Sequence, residues 1–295
     1  MGSVRLRNPV LTASGTAGHG AELGAYVDLA SLGGVVVKSL SATPWAGNPA
    51  PRLHGAGAAM VNAVGLQGPG VVAWVERDLP ALRQARATVV VSIWGRTVEE
   101  FGAAAALLRG VTGLAALEVN LSCPNLEGGR HLFAHDPAAT GAALEAAAAA
   151  GLPLWAKLSP NTDRLIEVAG TARDAGAEAV VVANTVLGMV LDTERGRPVL
   201  GNGGGGLSGP AIHAVAVRAV WDMHAAHPDL PIVGVGGVRD ATTAVELLQA
   251  GASAVEVGTA TLVDPRAPAK VLAALDRWLA DHRTSAAALV GRAHG

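Results

Sequence analysis

The chain of 295 residues has one cysteine, Cys123. No disulfide can form within it, and an iron–sulfur cluster, which needs about four cysteine ligands, cannot be held by this chain alone. Aromatic residues make up only 3% of the sequence, so the core must be packed mostly from Ala, Val and Leu. An excess of one charge is also missing. The 22 basic residues face 24 acidic ones, for a net charge of −2, which leaves no basic surplus for a nucleic-acid footprint. Uncharged apolar runs of the roughly 18 residues that mark a membrane span are absent. The most apolar stretch, residues 142–156, is interrupted by Glu145, Gly151 and Pro153. The first seven residues lack the apolar core of a signal peptide. These absences predict a soluble, cytosolic protein that binds neither nucleic acid nor membrane.

What is present is ample material for a buried core: half the residues are apolar and 16% are charged. Short β-branched runs alternate with alanine-rich stretches of helical period, the pattern of a parallel sheet covered by helices. Strands are expected at Val10–Ala13, Gly34–Lys38, Val89–Ile93, Leu117–Asn120, Leu154–Lys157, Ala179–Ala183, Ile232–Gly236 and Ala254–Gly258. Helices are expected at Ala21–Ala30, Val71–Arg86, Val98–Arg109, Pro137–Ala150, Arg164–Ala175, Pro210–Ala226, Ala241–Ala250 and Pro265–Ala280. Asp136, Asp240 and Asp264 are placed as helix-starting caps, and Gly176 and Gly251 as helix stops. Eight such units close most naturally into an α/β fold of the (β/α)₈ TIM-barrel type, one domain over residues 1–295; an open doubly wound sheet is the alternative. The tract Gly201–Gly206 formally satisfies G-x-G-x-x-G, but it lacks the strand-turn-helix context of a dinucleotide site and reads as a mobile loop.

In a barrel, chemistry gathers at the C-terminal ends of the strands. Three of the 22 basic residues are lysine, and two of these, Lys38 and Lys157, end strands. A compact ammonium there can stand beside a carbonyl or an anionic ring without filling the pocket; the alternative is that both merely reach the surface. The fourth strand runs into Asn120-Leu-Ser-Cys-Pro-Asn125, two carboxamides flanking a thiol. Carboxamides can read a planar ligand with amide-like edges, and a thiol with a pKa near 8.5 is within reach of general-base work. Gly236-Gly237 and Gly258-Thr259 end the seventh and eighth strands, where barrels commonly seat a phosphate.

These segments resemble the catalytic subunits of class 1 dihydroorotate dehydrogenases, type 1B. The resemblance rests on Asn8-Pro-Val-Leu-Thr-Ala-Ser-Gly15, Val37-Lys38-Ser39, Gly47-Asn48-Pro49, Asn62-Ala-Val-Gly-Leu-Gln67, Asn120-Leu-Ser-Cys-Pro-Asn125, Lys157-Leu-Ser-Pro-Asn161, Asn184-Thr185, Gly206-Leu-Ser-Gly-Pro210 and the two glycine pairs, in order and compatibly spaced. It implies a bound FMN and oxidation of dihydroorotate to orotate. Cys123 would take a proton from C5 of the substrate while the C6 hydride passes to flavin N5. Lys38, Asn62, Gly65, Leu66, Asn120, Asn125, Asn184 and Thr185 would hold the substrate. Ser14, Lys38, Ser39, Ser92, Asn120, Lys157, Ala183, Gly209, Gly236, Gly237, Gly258 and Thr259 would hold the flavin. Ser92 stands where the family commonly has an Asn, which predicts a shortened or water-mediated contact there. Type 1B further implies a homodimer, or a heterotetramer with a subunit carrying FAD and a [2Fe–2S] cluster that reduces NAD⁺; type 1A would use fumarate.

Three other readings stay open at this point. One is a flavoenzyme of the dihydropyrimidine dehydrogenase type acting on uracil or thymine. Another is a phosphate-binding barrel isomerase or lyase without a redox cofactor. The third is a scaffold that keeps the fold.

Overall fold

The computed structural model of the chain describes residues 1–122 and 132–295. Eight parallel strands close into a barrel in sequence order: β1 (Val10–Thr12), β2 (Gly34–Val36), β3 (Val89–Ile93), β4 (Leu114–Asn120), β5 (Leu154–Lys157), β6 (Ala177–Val182), β7 (Ile232–Val235) and β8 (Ala254–Val257). Strand β8 pairs back onto β1, with Leu11 opposite Glu256. Each strand falls on an expected segment, and the closure excludes the open sheet.

Helices cover the outside of the barrel while side chains fill its inside, so the strands are buried on both faces. Val35, Val91, Leu117, Val180 and Val255 point outward against the helices. Leu11, Val36, Val90, Ala116, Trp155, Ala179, Val233 and Ala254 point inward and fill the lower half of the barrel, closed from below by Val4. With few aromatics available, those present take structural corners: Phe101 and Phe133 meet edge to face at 5.1 Å.

Most helices match expectation, including Val98–Ala106, Pro137–Ala147, Leu165–Asp174, His213–Ala226, Ala241–Gln249 and Ala267–Asp281. Asp136 accepts from the N–H groups of Ala138 and Ala139, and Asp240 forms a capping box with Thr243. Three expectations are corrected. Residues 21–30 form two 3₁₀ turns, Glu22–Ala25 and Leu29–Ser31; Gly24 weakens the helix, and the Asp28 side chain takes the N–H of Ala30 to start a new turn. The helix expected over 71–86 is two, Val71–Arg77 and Leu79–Gln84, because Pro80 offers no N–H to the turn before it. The last long helix begins at Ala267 rather than Pro265, with Asp264 accepting from Arg266 N just ahead of it.

A second sheet roofs the C-terminal mouth. Its antiparallel strands come from the excursions after β2 and β6, in the order Leu53–Ala56, Ala59–Asn62, Gly205–Ser208, Val186–Gly188. This sheet was not expected. The glycine tract read as a mobile loop ends inside it: Gly206 pairs with Asn62 on one side and Leu187 on the other. A Cβ at Gly206 would lie 2.1 Å from Thr185 Oγ1, so this close approach admits no side chain.

Candidate active site

Alternate residues of a barrel strand point inward. Above the apolar floor, four strands therefore send polar groups to one level: Ser92 two residues above Val90, Glu118 above Ala116, Lys157 above Trp155 and Glu256 above Ala254. All four are buried. Lys157 Nζ lies 3.4 Å from Glu118 Oε2 and 3.2 Å from Glu256 Oε2, and Ser92 Oγ donates to Glu118 Oε1 at 2.8 Å. Burial by itself would pull the Lys157 pKa down, but the two carboxylates outweigh it and hold the ammonium above the ordinary lysine range. Burial pushes the Glu256 carboxyl up to about 8, opposed by Lys157 and reinforced by Glu118. Glu256 Oε1 receives no hydrogen bond from the described residues.

Above this layer, Ser39 Oγ is a junction. It lies 2.9 Å from Ser92 Oγ and 3.1 Å from Ser14 Oγ, and accepts from Asn120 Nδ2 at 3.2 Å. Asn120 Oδ1 accepts from Ser122 N at 3.2 Å and Asn184 Nδ2 at 3.4 Å. Asn62 Nδ2 donates to Gly206 O at 3.2 Å, which ties the roof strands together. Lys38 stands half-buried at the mouth with no ion-pair partner among the described residues. Burial and the neighbouring Arg52 lower its pKa.

The opposite wall is glycine. A Cβ on Gly236 would lie 2.6 Å from Ala216 Cβ, and one on Gly237 2.7 Å from His213 Cβ. His213 is hydrogen-bonded to Gly236 O at 2.7 Å and to Glu246 Oε2 at 2.9 Å, so helix and wall are locked together. The N–H groups of Gly236, Gly237 and Gly258 have no backbone acceptor among the described residues. Backbone donors on a cleft wall without an acceptor among the described residues suit an anionic group such as a phosphate.

One cleft of about 670 Å³ gathers these groups. Ser14, Lys38, Ser39, Asn62, Gly65, Leu66, Asn120, Lys157, Ala183, Asn184, Thr185, Gly209, Gly236, Gly237, Gly258 and Thr259 all line it. Ser92 does not. It sits a layer below, its hydroxyl engaged with Ser39 and Glu118, and supports the wall from behind. Cys123 and Asn125 lie outside the described residues; Ser122 and Leu132, which flank that segment, both line the cleft. Ser122 Oγ is buried there without a partner among the described residues.

Several residues escaped the sequence reading. Glu118 and Glu256 hold Lys157, and a lone acid inside an apolar strand was the signal for both. Asn161 fastens the segment carrying Thr185: its Nδ2 donates to Thr185 O and its Oδ1 accepts from Leu187 N, each at 2.9 Å. Asn48 donates to Ala63 O at 3.1 Å and holds the Gly65 turn.

A closed barrel with a polar cleft and a buried ammonium at its C-terminal mouth has the architecture of the (β/α)₈-barrel enzymes. Comparison with known proteins narrows this class. The profile of the family described as "Dihydroorotate dehydrogenase" matches residues 1–279, and the chain belongs to that family of oxidoreductases. It is 50% identical over 291 residues to "Dihydroorotate dehydrogenase B (NAD(+)), catalytic subunit" of Desulforudis audaxviator (strain MP104C), covering 98% of this chain and 94% of that one. It is 45% identical over 293 residues to the protein of the same name from Geobacter sp. (strain M21), covering 98% and 95%. Among the described residues no helix is long and apolar enough to cross a membrane.

Proposed function

We propose that the chain is an FMN-bearing catalytic subunit that oxidises (S)-dihydroorotate to orotate, the redox step of pyrimidine synthesis. Its electrons pass to NAD⁺ through a separate subunit carrying FAD and a [2Fe–2S] cluster. The observation that carries this reading is the Lys157 ammonium fixed on the cleft floor between Glu118 and Glu256. A point charge in a dry, preorganised floor stabilises negative charge developing on a flat ring above it.

The cleft suits FMN. Gly209, Gly236, Gly237, Gly258 and Thr259 would meet its phosphate end, and Ser14, Lys38, Ser39, Asn120, Lys157 and Ala183 its ring system. When bound, FMN supplies the acceptor for the hydride equivalent that leaves C6 of the substrate. Lys38, Asn62, Gly65, Leu66, Asn120, Asn125, Asn184 and Thr185 would hold the substrate ring by its carboxylate and amide edges. An ammonium without a carboxylate of its own favours a ring that carries one, hence dihydroorotate over uncharged dihydrouracil. Cys123 would take the proton from C5, a thiol of ordinary pKa near 8.5 being close enough to neutrality for this work. The single cysteine supports placing the cluster on a partner, with this chain as a homodimer or within a heterotetramer.

Anaerobic mixing with dihydroorotate tests the reading. The purified chain should bleach its flavin with dihydroorotate and not with dihydrouracil, and pass electrons on to NAD⁺ only when the second subunit is added. Cys123→Ala should keep the flavin and slow bleaching by about 10²-fold or more. Protein without flavin absorbance, or a Cys123→Ala variant that bleaches at the unaltered rate, refutes it.

A further inference from the structure

Two carboxylates face one ammonium beneath the cleft, which leaves this layer a negative charge in excess. Glu118 and Glu256 are both fully buried, and each lies within 3.4 Å of Lys157 Nζ. Burying an uncompensated charge is costly, and such a group takes up a proton instead. The two acids are not equivalent. Glu118 Oε1 accepts the Ser92 hydroxyl, whereas Glu256 Oε1 accepts nothing from the described residues. Glu256 is flanked in the barrel wall by Leu11 of β1 and Val235 of β7, both apolar. The titratable groups acting on it are Lys157 from β5 and Glu118 from β4. As an acceptor this oxygen gains nothing from the described residues; a proton makes Glu256 a hydrogen-bond donor with the Glu118 carboxylate among its hydrogen-bonding neighbours.

We propose that Glu118 and Glu256 are positioning residues that share one proton, resting on Glu256 at neutral pH, so that the layer under the cleft is neutral when Lys157 is charged. Loss of that proton, Glu256–COOH to Glu256–COO⁻ with the proton released to water, turns the floor negative beneath the ligand. The apolar plug seals the layer from below, and the route upward runs through hydroxyl groups, from Ser92 to Ser39 to Ser14 at the cleft wall. The consequence for ligand affinity rests on the function proposed above; the shared proton rests on the chain alone.

Infrared titration of the full chain without added ligand tests the proton directly. A buried protonated-carboxyl C=O band should be present at pH 6 and fade as the pH passes about 8. The band should be absent in Glu256→Gln and fade at lower pH in Glu118→Gln. No such band at pH 6 in the unaltered chain, or its persistence in Glu256→Gln, overturns the proposal. The second readout is orotate affinity between pH 7 and pH 9, taken as the ratio of unaltered chain to Glu256→Gln so that other titrations cancel. It should fall on the order of tenfold, the effect of one unit charge about 10 Å away at an effective dielectric of about 20. A flat ratio overturns the link to the cleft. Failure of both proteins to bind orotate at any pH counts against the proposed function and leaves the infrared result to decide the proton.

Discussion

Gly237→Ala probes the wall on which the phosphate would rest. At φ +70° the backbone of Gly237 is left-handed, a conformation that costs an L-residue roughly 1–2 kcal/mol. The new methyl would stand 2.7 Å from His213 Cβ and 3.1 Å from Gly209 O, where ordinary carbon contacts begin at about 3.5 Å. His213 is pinned at both ring nitrogens, so the crowding is not relieved by rotation and adds about 1–3 kcal/mol, as in other overpacked sites. Gly196→Ala is the control: its φ is +62°, but nothing lies within 4 Å of the added methyl, so it bears the conformational cost alone. Thermal unfolding of the two variants isolates the steric part, at about 2–4 °C per kcal/mol. Flavin affinity should fall in Gly237→Ala and hold in Gly196→Ala. Equal unfolding temperatures together with equal flavin affinities refute the close packing and the seat at once.

Two further outcomes follow from the same geometry. Asn161→Ala strands Thr185 O and Leu187 N at a cost of about 1–3 kcal/mol; because it loosens the segment proposed to hold the substrate rather than the floor, steady-state kinetics should show KM rising more than kcat falls. Lys38→Met should raise the unfolding temperature at pH 7 while abolishing orotate binding. The folded chain holds the Lys38 proton less tightly than the unfolded chain does, so this site destabilises the fold at low pH and the penalty fades as pH rises toward the ordinary lysine range. The stability gap between variant and unaltered chain should therefore narrow with rising pH, and a gap that widens refutes the sign.

The barrel could be read from sequence because its strands are continuous apolar runs and its helices end in glycines at fixed offsets: Gly176 and Gly251, both at positive φ, stand just past their helices. The roof could not. Its four strands are three or four residues of mixed burial held by pairing across as many as 144 positions, as in Asn62 to Gly206, and no local periodicity encodes such a partner. The cleft wall was legible where function needs an unusual residue at a strand end, as with Lys38, Lys157 and the glycine pairs. Glu118 and Glu256 went unread because each sits mid-strand among valines and leucines, where its meaning appears only when the barrel closes and brings β4, β5 and β8 together. Ser92 is expected beside the flavin through a shortened or water-mediated contact; its hydroxyl lies a layer below the cleft wall, engaged with Ser39 and Glu118.

Among the described residues, Val4, Trp155 and their neighbours plug the barrel opposite the mouth at which the cleft lies. Orientation therefore decides whether the molecule can work on a solid support. Tethering through exposed Arg5, beside the plug, leaves the mouth free to solution. Tethering through the roof at Leu187, which is 67% exposed, turns that opening against the surface and starves it.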